Sequence, residues 1–319
     1  MRDQNTAIEE MQKAVDIVNT SPHPTNKIAA TLFGRDFSLS CTNQWPEKIM
    51  AAFGPDTDVG NSSGTLHAET ACIMAAGKAG HSIEGASLCI TDPFCPNCAK
   101  NIAEAGVKTI YIDHKGFEKD FAQRRGDHFE NMSMQICERA GISVYEVRRK
   151  EGKVIPILEI PDDYNPPNDC PVVISALDCI NDAVFLDLIA DARANLRGER
   201  FALALCRSFN GRMAALCARA HLAIGYTTRI DAEELHNPQG KYTFVLEPSN
   251  RVLMNAARLG CYPDPAYFYA SSVPTSRELV NLVGAGVEIL HLGDAAQARD
   301  EESTMAIKQL SDGDVLEII

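Results

Sequence analysis

The sequence lacks long apolar runs. No stretch reaches the roughly 18 uninterrupted apolar residues of a membrane-spanning helix. The first residues, MRDQNTAIEEMQKAVDIVN, carry acidic side chains where a signal peptide needs an apolar core, and their apolar residues follow helical spacing. We therefore expect a cytoplasmic protein whose first helix covers residues 5–19.

Basic residues are also in short supply. Thirty Lys and Arg stand against 43 Asp and Glu, a formal net charge of −13, which repels polyphosphate at long range. Nucleic acid is thus disfavoured as a partner, and a small molecule is favoured. The 11 cysteines are scattered along 319 residues without an export signal, so we expect most to be reduced and buried rather than paired in disulfides.

The first half alternates strand and helix patterns. Helices that end in Gly just before short β-branched runs predict a layered α/β domain with at least some parallel strand pairing. The segment IPDDYNPPNDCP (160–171) has four prolines and predicts a linker. The expected strands are 27–34, 37–43, 86–92, 107–113 and 143–148, and the expected helices 66–80, 95–106 and 128–141.

Beyond the linker the sequence repeats itself. Residues 66–112 align without a gap with residues 246–292, so that LHAETACIMAAGKAG lies over LEPSNRVLMNAARLG and VKTIYI over VEILHL. Upstream, FALALCRSFNGRMAALCARA matches the first strand pair at a different offset. The shared order of elements favours a duplicated domain over chance identities. We expect a first domain at 1–157, a linker at 158–170 and a second domain at 171–319.

Four side chains in the first half suggest a metal site. Cys95 and Cys98 are three residues apart and share a helix face, where the helix dipole at the first turn lowers thiol pKa values. His67, at the start of another helix, adds a nitrogen ligand. Three ligands leave the fourth tetrahedral position of zinc for water, as in catalytic rather than structural sites. We expect one zinc ion per chain.

Glu69 follows His67 by two residues, about 200° round the helix, and so should face the bound water rather than the metal. A carboxylate there can take the proton of the water and pass it on. The cluster thus supplies a nucleophile, a Lewis acid and a proton shuttle, which together can replace an amino group on a ring carbon by oxygen.

Simpler interpretations exist for each feature. A lone C-x-x-C is also typical of a redox pair or of half a closed zinc site, although the second C-x-x-C or H-x-H that a closed site needs is missing. Arg124 and Arg125 could hold a substrate phosphate or form a solvated surface pair, and His128 could approach a pocket or be an ordinary surface or core residue.

H-x-E followed by C-x-x-C on the next helix resembles the zinc-dependent cytidine and deoxycytidylate deaminase superfamily. The run CAKNIAEAGVKTIYID looks more like the deoxycytidylate branch. The resemblance implies a three-layer α/β/α fold, here duplicated in tandem, and assigns the roles as follows. His67, Cys95 and Cys98 are zinc ligands, Glu69 is the proton shuttle, and Asn43, Ala68 and Phe94 contact the substrate.

Phe94 is a departure from the family pattern, which usually has Pro directly before the first Cys; here the proline is Pro93. The backbone at this point commonly meets the exocyclic amine in the superfamily, so the change bears on substrate identity more than on metal binding. The expected substrate is a cytosine-type nucleoside or nucleotide. Adenine- and guanine-type compounds are the alternatives, and a tRNA base is disfavoured by the acidic balance.

The second half should bind no zinc. At the 180-residue offset the four chemical groups are replaced, in order, by Glu247, Ser249, Thr275 and Glu278. Since active sites of this superfamily are often completed at subunit interfaces, the degenerate copy can act as an internal partner, and the pseudo-dimer can pair again into a homodimer. The rival interpretation is a non-catalytic zinc protein whose second half senses a ligand.

Overall fold

The computed structural model describes residues 4–55, 57, 59–60, 64–119, 129–228 and 243–319. Arg124, Arg125 and His128, considered above for substrate contacts, lie outside these residues. Within them, every helix is too short or too polar to span a membrane.

The first half contains the elements that its sequence pattern predicts, with ends that differ by a few residues. The helices are α1 (Gln4–Ile17), α2 (Glu47–Phe53), α3 (Ala68–Lys78), α4 (Pro96–Glu104), α5 (His114–Phe117) and α6 (Met134–Ala140). The strands are β1 (Ala29–Phe33), β2 (Ser38–Thr42), β3 (Ser87–Ile90), β4 (Thr109–Asp113), β5 (Ser143–Arg148) and β6 (Lys153–Leu158).

Three differences from the predicted elements stand out. Helix α2 was not predicted, because EKIMAAF is only two turns long and carries little periodic signal. The helix expected at 128–141 begins at Met134, after a π-helical turn at Phe129–Ser133. Strand β6 was not predicted either, since its proline and lysine weaken the alternation.

The second half has its own set of elements. Its helices are α7 (Asp182–Asn195), α8 (Pro248–Arg258), α9 (Ser276–Ala285) and α10 (Glu301–Asp312). Its strands are β7 (Val173–Leu177), β8 (Phe201–Ser208), β9 (Met213–Arg219), β10 (His221–Leu222), β11 (Val245–Leu246), β12 (Cys261–Ala270), β13 (Ile289–Leu292) and β14 (Glu317–Ile318).

Each half forms a six-stranded mixed sheet in the described part of the chain. The order is β2-β1-β3-β4-β5-β6 in the first and β7-β9-β8-β12-β13-β14 in the second. In the first sheet, β3 pairs antiparallel with β1 and parallel with β4. In the second sheet, β12 likewise pairs antiparallel with β8 and parallel with β13. The α/β class expected from the sequence is confirmed.

The two halves coincide residue for residue at the 180-residue offset over their central elements. Helix α8 begins and ends 180 residues after α3, and β12 ends 180 residues after β3. Asn101 donates to Thr70 Oγ1 between α3 and α4 at 3.2 Å, and its counterpart Asn281 donates to Asn250 between α8 and α9 at 2.8 Å. The sequence repeat therefore corresponds to a repeat of the structure.

Strand residues alternate between two cores, as the pleat requires. In β4, Ile110 and Ile112 enter a core that extends across both halves, whereas Tyr111 enters a smaller core beneath α1. In β8, Ala204 enters the shared core and Leu203 a smaller core beneath α7. The helices α3, α4, α8 and α9 thus lie between the two sheets, and α1 and α7 cover the outer faces.

Candidate metal centre

His67 is the N-cap residue of α3, and the residue before it, Leu66, forms an isolated β-bridge with Gln44. Gln44 N donates to Leu66 O at 3.1 Å and Leu66 N donates to Gln44 O at 2.7 Å. The bridge fixes the residue just before His67, and it brings the segment CTNQW of the sequence alongside the start of the helix.

Cys95 and Cys98 lie at the start of α4, as their spacing predicts. Cys95 is the N-cap residue, Pro96 occupies the first helical position, and both cysteines are buried. Proline suits that position because its missing N–H would have no helical partner there. The hydrogen bond from Cys98 and the adjacent His67 hold the pKa of the Cys95 thiol well below its usual value, which favours the thiolate that a metal needs.

The three side chains converge on one point. His67 Nδ1 is 3.1 Å from Cys98 Sγ and 3.6 Å from Cys95 Sγ, and the three donor atoms lie within 4.8 Å of one another. Tetrahedral zinc with usual bond lengths would separate its ligand atoms by about 3.6 Å. One imidazole nitrogen and two sulfurs are donors that zinc prefers, so the geometry and the chemistry of the set both fit this ion.

Glu69 lies beside the thiols and is 3% exposed. Its burial raises the pKa of the carboxyl above its ordinary value, while the neighbouring His67 acts in the opposite direction. A carboxyl in this environment can hold a proton at a pH where an exposed glutamate has lost it. The structure therefore assembles a three-ligand cluster with a carboxyl group at its side.

The other three predicted site residues take different positions. Ala68 is the first residue of α3 and is fully buried. Phe94 is buried, and its ring meets that of Phe129 edge to face. The Asn43 amide is engaged within the protein: Oδ1 accepts from Ser21 Oγ at 2.8 Å and Ile28 N at 2.9 Å. Its Nδ2 donates to Asn26 O at 2.9 Å. Substrate contact by these residues stays a prediction.

His23 is a neighbour of the metal centre that the sequence analysis missed. Its Nδ1 accepts from Asn26 N at 3.0 Å, so its proton lies on Nε2, and its ring stacks on Trp45. Burial and the nearby His67 lower the pKa of His23. The local sequence of His23 contains no motif that predicts this position. Its place near His67 depends on the tertiary structure, in which Asn43 binds Asn26 and Asn26 binds His23.

The second half replaces the metal centre by a hydrogen-bonded cap. Glu278, which aligns with Cys98, accepts from Ser249 N at 2.9 Å and from Thr275 N at 2.8 Å. Glu247, which aligns with His67, pairs with Arg200 at 2.8 Å and with Arg299 at 3.5 Å. Among the described residues, the one cluster of His, Cys, Asp or Glu with metal-binding geometry is the cluster in the first half.

Comparison with known proteins agrees with this site. Residues 4–114 match the family described as the cytidine and deoxycytidylate deaminase zinc-binding region. Deoxycytidylate deaminase of Enterobacteria phage T4 is 44% identical over 90 residues, which is 28% of this chain and 42% of that protein. An uncharacterized deaminase from the luxG 3′ region of Aliivibrio fischeri is 26% identical over 134 residues, 42% of this chain and 87% of that protein.

Among solved structures, dCMP deaminase from the cyanophage S-TIM5, in complex with dCMP and dUMP, is 22% identical and superimposes with a TM-score of 0.36. The superposition covers 46% of this chain and 100% of that one. The chain spans less than half the length of the phage T4 enzyme. The matched sequence contains His67, Glu69, Cys95 and Cys98. Residues 4–114 are thus similar to the zinc-binding region of cytidine and deoxycytidylate deaminases.

Proposed function

We propose that the chain is a zinc-dependent hydrolase that removes ammonia from a cytosine-type nucleoside or nucleotide. The observation that carries the proposal is the position of Glu69, a buried carboxyl beside three donor atoms that could hold a metal ion. A tetrahedral zinc ion bound by these three would have its fourth position free for water. A purely structural zinc site has no use for such a carboxyl.

Bound zinc would supply a water molecule that ionises near neutral pH. His67, Cys95 and Cys98 hold the ion, and the two thiols are kept from solvent by their burial. Glu69 would take one proton from the attacking water and deliver it to the ring nitrogen. It would then take the remaining proton from the hydroxyl now on the ring carbon and deliver it to the amino group, which leaves as ammonia, so that one carboxyl serves as base and acid in turn. The raised pKa of Glu69 suits the second of these roles.

We further propose the domain organisation of the sequence analysis: a catalytic domain at 1–157, a linker at 158–170, and a degenerate copy at 171–319. The support is the repeat of element bounds at the 180-residue offset and the lack of histidine and cysteine at the aligned positions of the second half. The copy would serve as an internal partner, and the whole chain would pair again as a homodimer.

The test measures metal content per chain and then ammonia release from cytosine, cytidine, deoxycytidine, their monophosphates and the matching adenine and guanine compounds. We expect one zinc per chain and ammonia from a cytosine compound. A purified chain that contains no zinc would contradict the metal site. A chain that contains zinc but releases ammonia from none of these compounds would favour the non-catalytic alternative.

Glu69→Gln separates catalysis from metal binding. The variant should keep its zinc and fold but lose activity by at least about 100-fold, because the amide cannot carry the proton. Glu288→Gln, at an exposed carboxyl paired with Lys48, serves as the control and should be fully active. Equal activity of Glu69→Gln and the parent chain would rule out the shuttle.

A further inference from the structure

Two side chains of the second half form hydrogen bonds with backbone groups that precede His67 in the chain. Arg277, in the first turn of α9, donates from Nη1 to Thr65 O at 2.7 Å and from Nη2 to Gly60 O. The neighbouring Ser276 Oγ accepts from Gly60 N at 2.6 Å. Two side chains of the second half thus bind the N–H and the carbonyl of Gly60 and the carbonyl of Thr65, which is two residues before His67.

A side chain of the first half binds backbone carbonyls of the second half in a similar way. Lys100, in α4, donates from Nζ to Thr243 O and to Val245 O, each at 2.7 Å. Thr65 and Val245 occupy equivalent positions at the 180-residue offset, as do His67 and Glu247. Arg277 of α9 thus binds the carbonyl two residues before His67, and Lys100 of α4 binds the carbonyl two residues before Glu247.

This reciprocal arrangement bears directly on the metal centre. The Thr65 carbonyl is held by Arg277 and the next residue, Leu66, is held by the bridge to Gln44. These two contacts set the course of the backbone into His67.

We propose that Arg277 of the second half is a positioning residue for the zinc centre of the first: it fixes the backbone carbonyl of Thr65, two residues before His67. The proposal depends on the proposed function only for its kinetic consequence. Metal binding tests it even in a chain without deaminase activity.

The test compares Arg277→Met with Arg258→Met in the full-length chain. Arg258 is a matched control because it also joins the halves, through Glu84, which follows the C-terminal end of α3, whereas His67 lies at the N-terminal end of that helix. Zinc affinity is measured by chelator competition, and the geometry of the site by the absorption spectrum of the cobalt-substituted protein, both below the melting temperatures of the variants.

Arg277→Met should weaken zinc binding by about 10- to 100-fold, the usual effect of losing a residue that orients a metal ligand, and should alter the cobalt spectrum. Arg258→Met should lower the melting temperature and leave both metal readouts unchanged. Arg277→Lys should recover part of the affinity, since an ammonium group can donate to one of the two carbonyls but lacks the fixed fork that holds both.

Unchanged zinc affinity and an unchanged cobalt spectrum in Arg277→Met would overturn the proposal and leave Arg277 as an interface residue. Should Arg277→Met fail to fold, Ser276→Ala removes the partner of Gly60 N alone and decides the same question. A smaller loss of zinc affinity in that variant supports the proposal, and parent affinity contradicts it.

Discussion

Buried polar side chains have opposite uses in the two halves. In the second half, Glu278 accepts from Thr275 N through Oε2 in the capping box of α9, and from Ser249 N in the first turn of α8 through Oε1. In the first half, Cys98 occupies the aligned position, and its thiol faces His67 and Cys95 instead. A change of residue type, on the same backbone, therefore converts a helix cap into a metal ligand.

This difference predicts the stoichiometry of zinc binding. Cys98→Ser should reduce zinc from one ion per chain to none, because the second half has no nitrogen or sulfur donors at the equivalent positions. Metal analysis of dialysed protein gives the answer. A full equivalent of zinc retained by Cys98→Ser would show that another site binds it.

Asn43 is the subject of a second prediction at the scale of the residue. Its amide joins Ser21, Asn26 and Ile28, and the side chain is buried. Asn43→Ala leaves these partners unpaired and should lower the free energy of unfolding by about 1–3 kcal/mol. Urea denaturation measures this loss. Parent stability with an impaired KM would instead indicate a role in substrate binding alone.

At the scale of the element, helices α3 and α8 cross at very short range. A Cβ added at Gly77 would lie 2.7 Å from Ala257 Cα and 2.7 Å from Cys261 O, both backbone atoms that cannot rotate away. The shared core requires this close approach, since α3 and α8 belong to different halves. Glycine is therefore needed at residue 77 for packing rather than for its backbone angles.

Gly77→Ala should be destabilising by about 1–3 kcal/mol from overpacking, in spite of a gain of about 1 kcal/mol in helix propensity. Gly284→Ala is the matched control, because its Cβ would meet only the flexible ends of Leu66 and Met74. It should be neutral or slightly stabilising. Thermal unfolding of both variants is the measurement, and equal melting temperatures would contradict the packing argument.

At the scale of the whole molecule, a buried ion pair joins the halves. Arg251 of α8 contacts Glu104 of α4 at 3.1 Å, and also donates to Cys170 O in the predicted linker at 2.6 Å. Both charged side chains are almost fully buried. Removing one partner of such a pair is costly, because the other charge is left in the core without compensation.

Arg251→Met should therefore lower the free energy of unfolding by about 3–5 kcal/mol. The double variant Arg251→Met, Glu104→Met should recover much of this loss, since it removes both charges. Chemical denaturation of the three proteins provides the comparison. Additive losses in the double variant would mean that the two side chains act independently.

The same interface predicts the behaviour of a fragment. Residues 1–157 alone would expose Gly77, Lys100 and Glu104, which the second half buries or pairs in the full chain. We expect the fragment to be poorly soluble or weakly active. A soluble, cooperatively folding and fully active fragment would contradict the role of the second half as internal partner.

The sequence by itself determined what depends on local pattern and residue chemistry. Periodicity and terminal glycines located most helices and strands, the 180-residue repeat located their copies, and His67, Cys95 and Cys98 identified a zinc site because few residue types bind that metal. Helices α2 and α5 and strand β6 were missed, because short elements carry little periodic signal.

The tertiary structure alone decided which distant residues support the site. Arg277 contacts Gly60 across 217 residues of sequence, Arg251 contacts Glu104 across 147, and Lys100 contacts Thr243 across 143. Each is an ordinary basic residue in its own segment. Its role arises only when the two sheets pack with their helices facing one another, a long-range arrangement that local sequence does not encode.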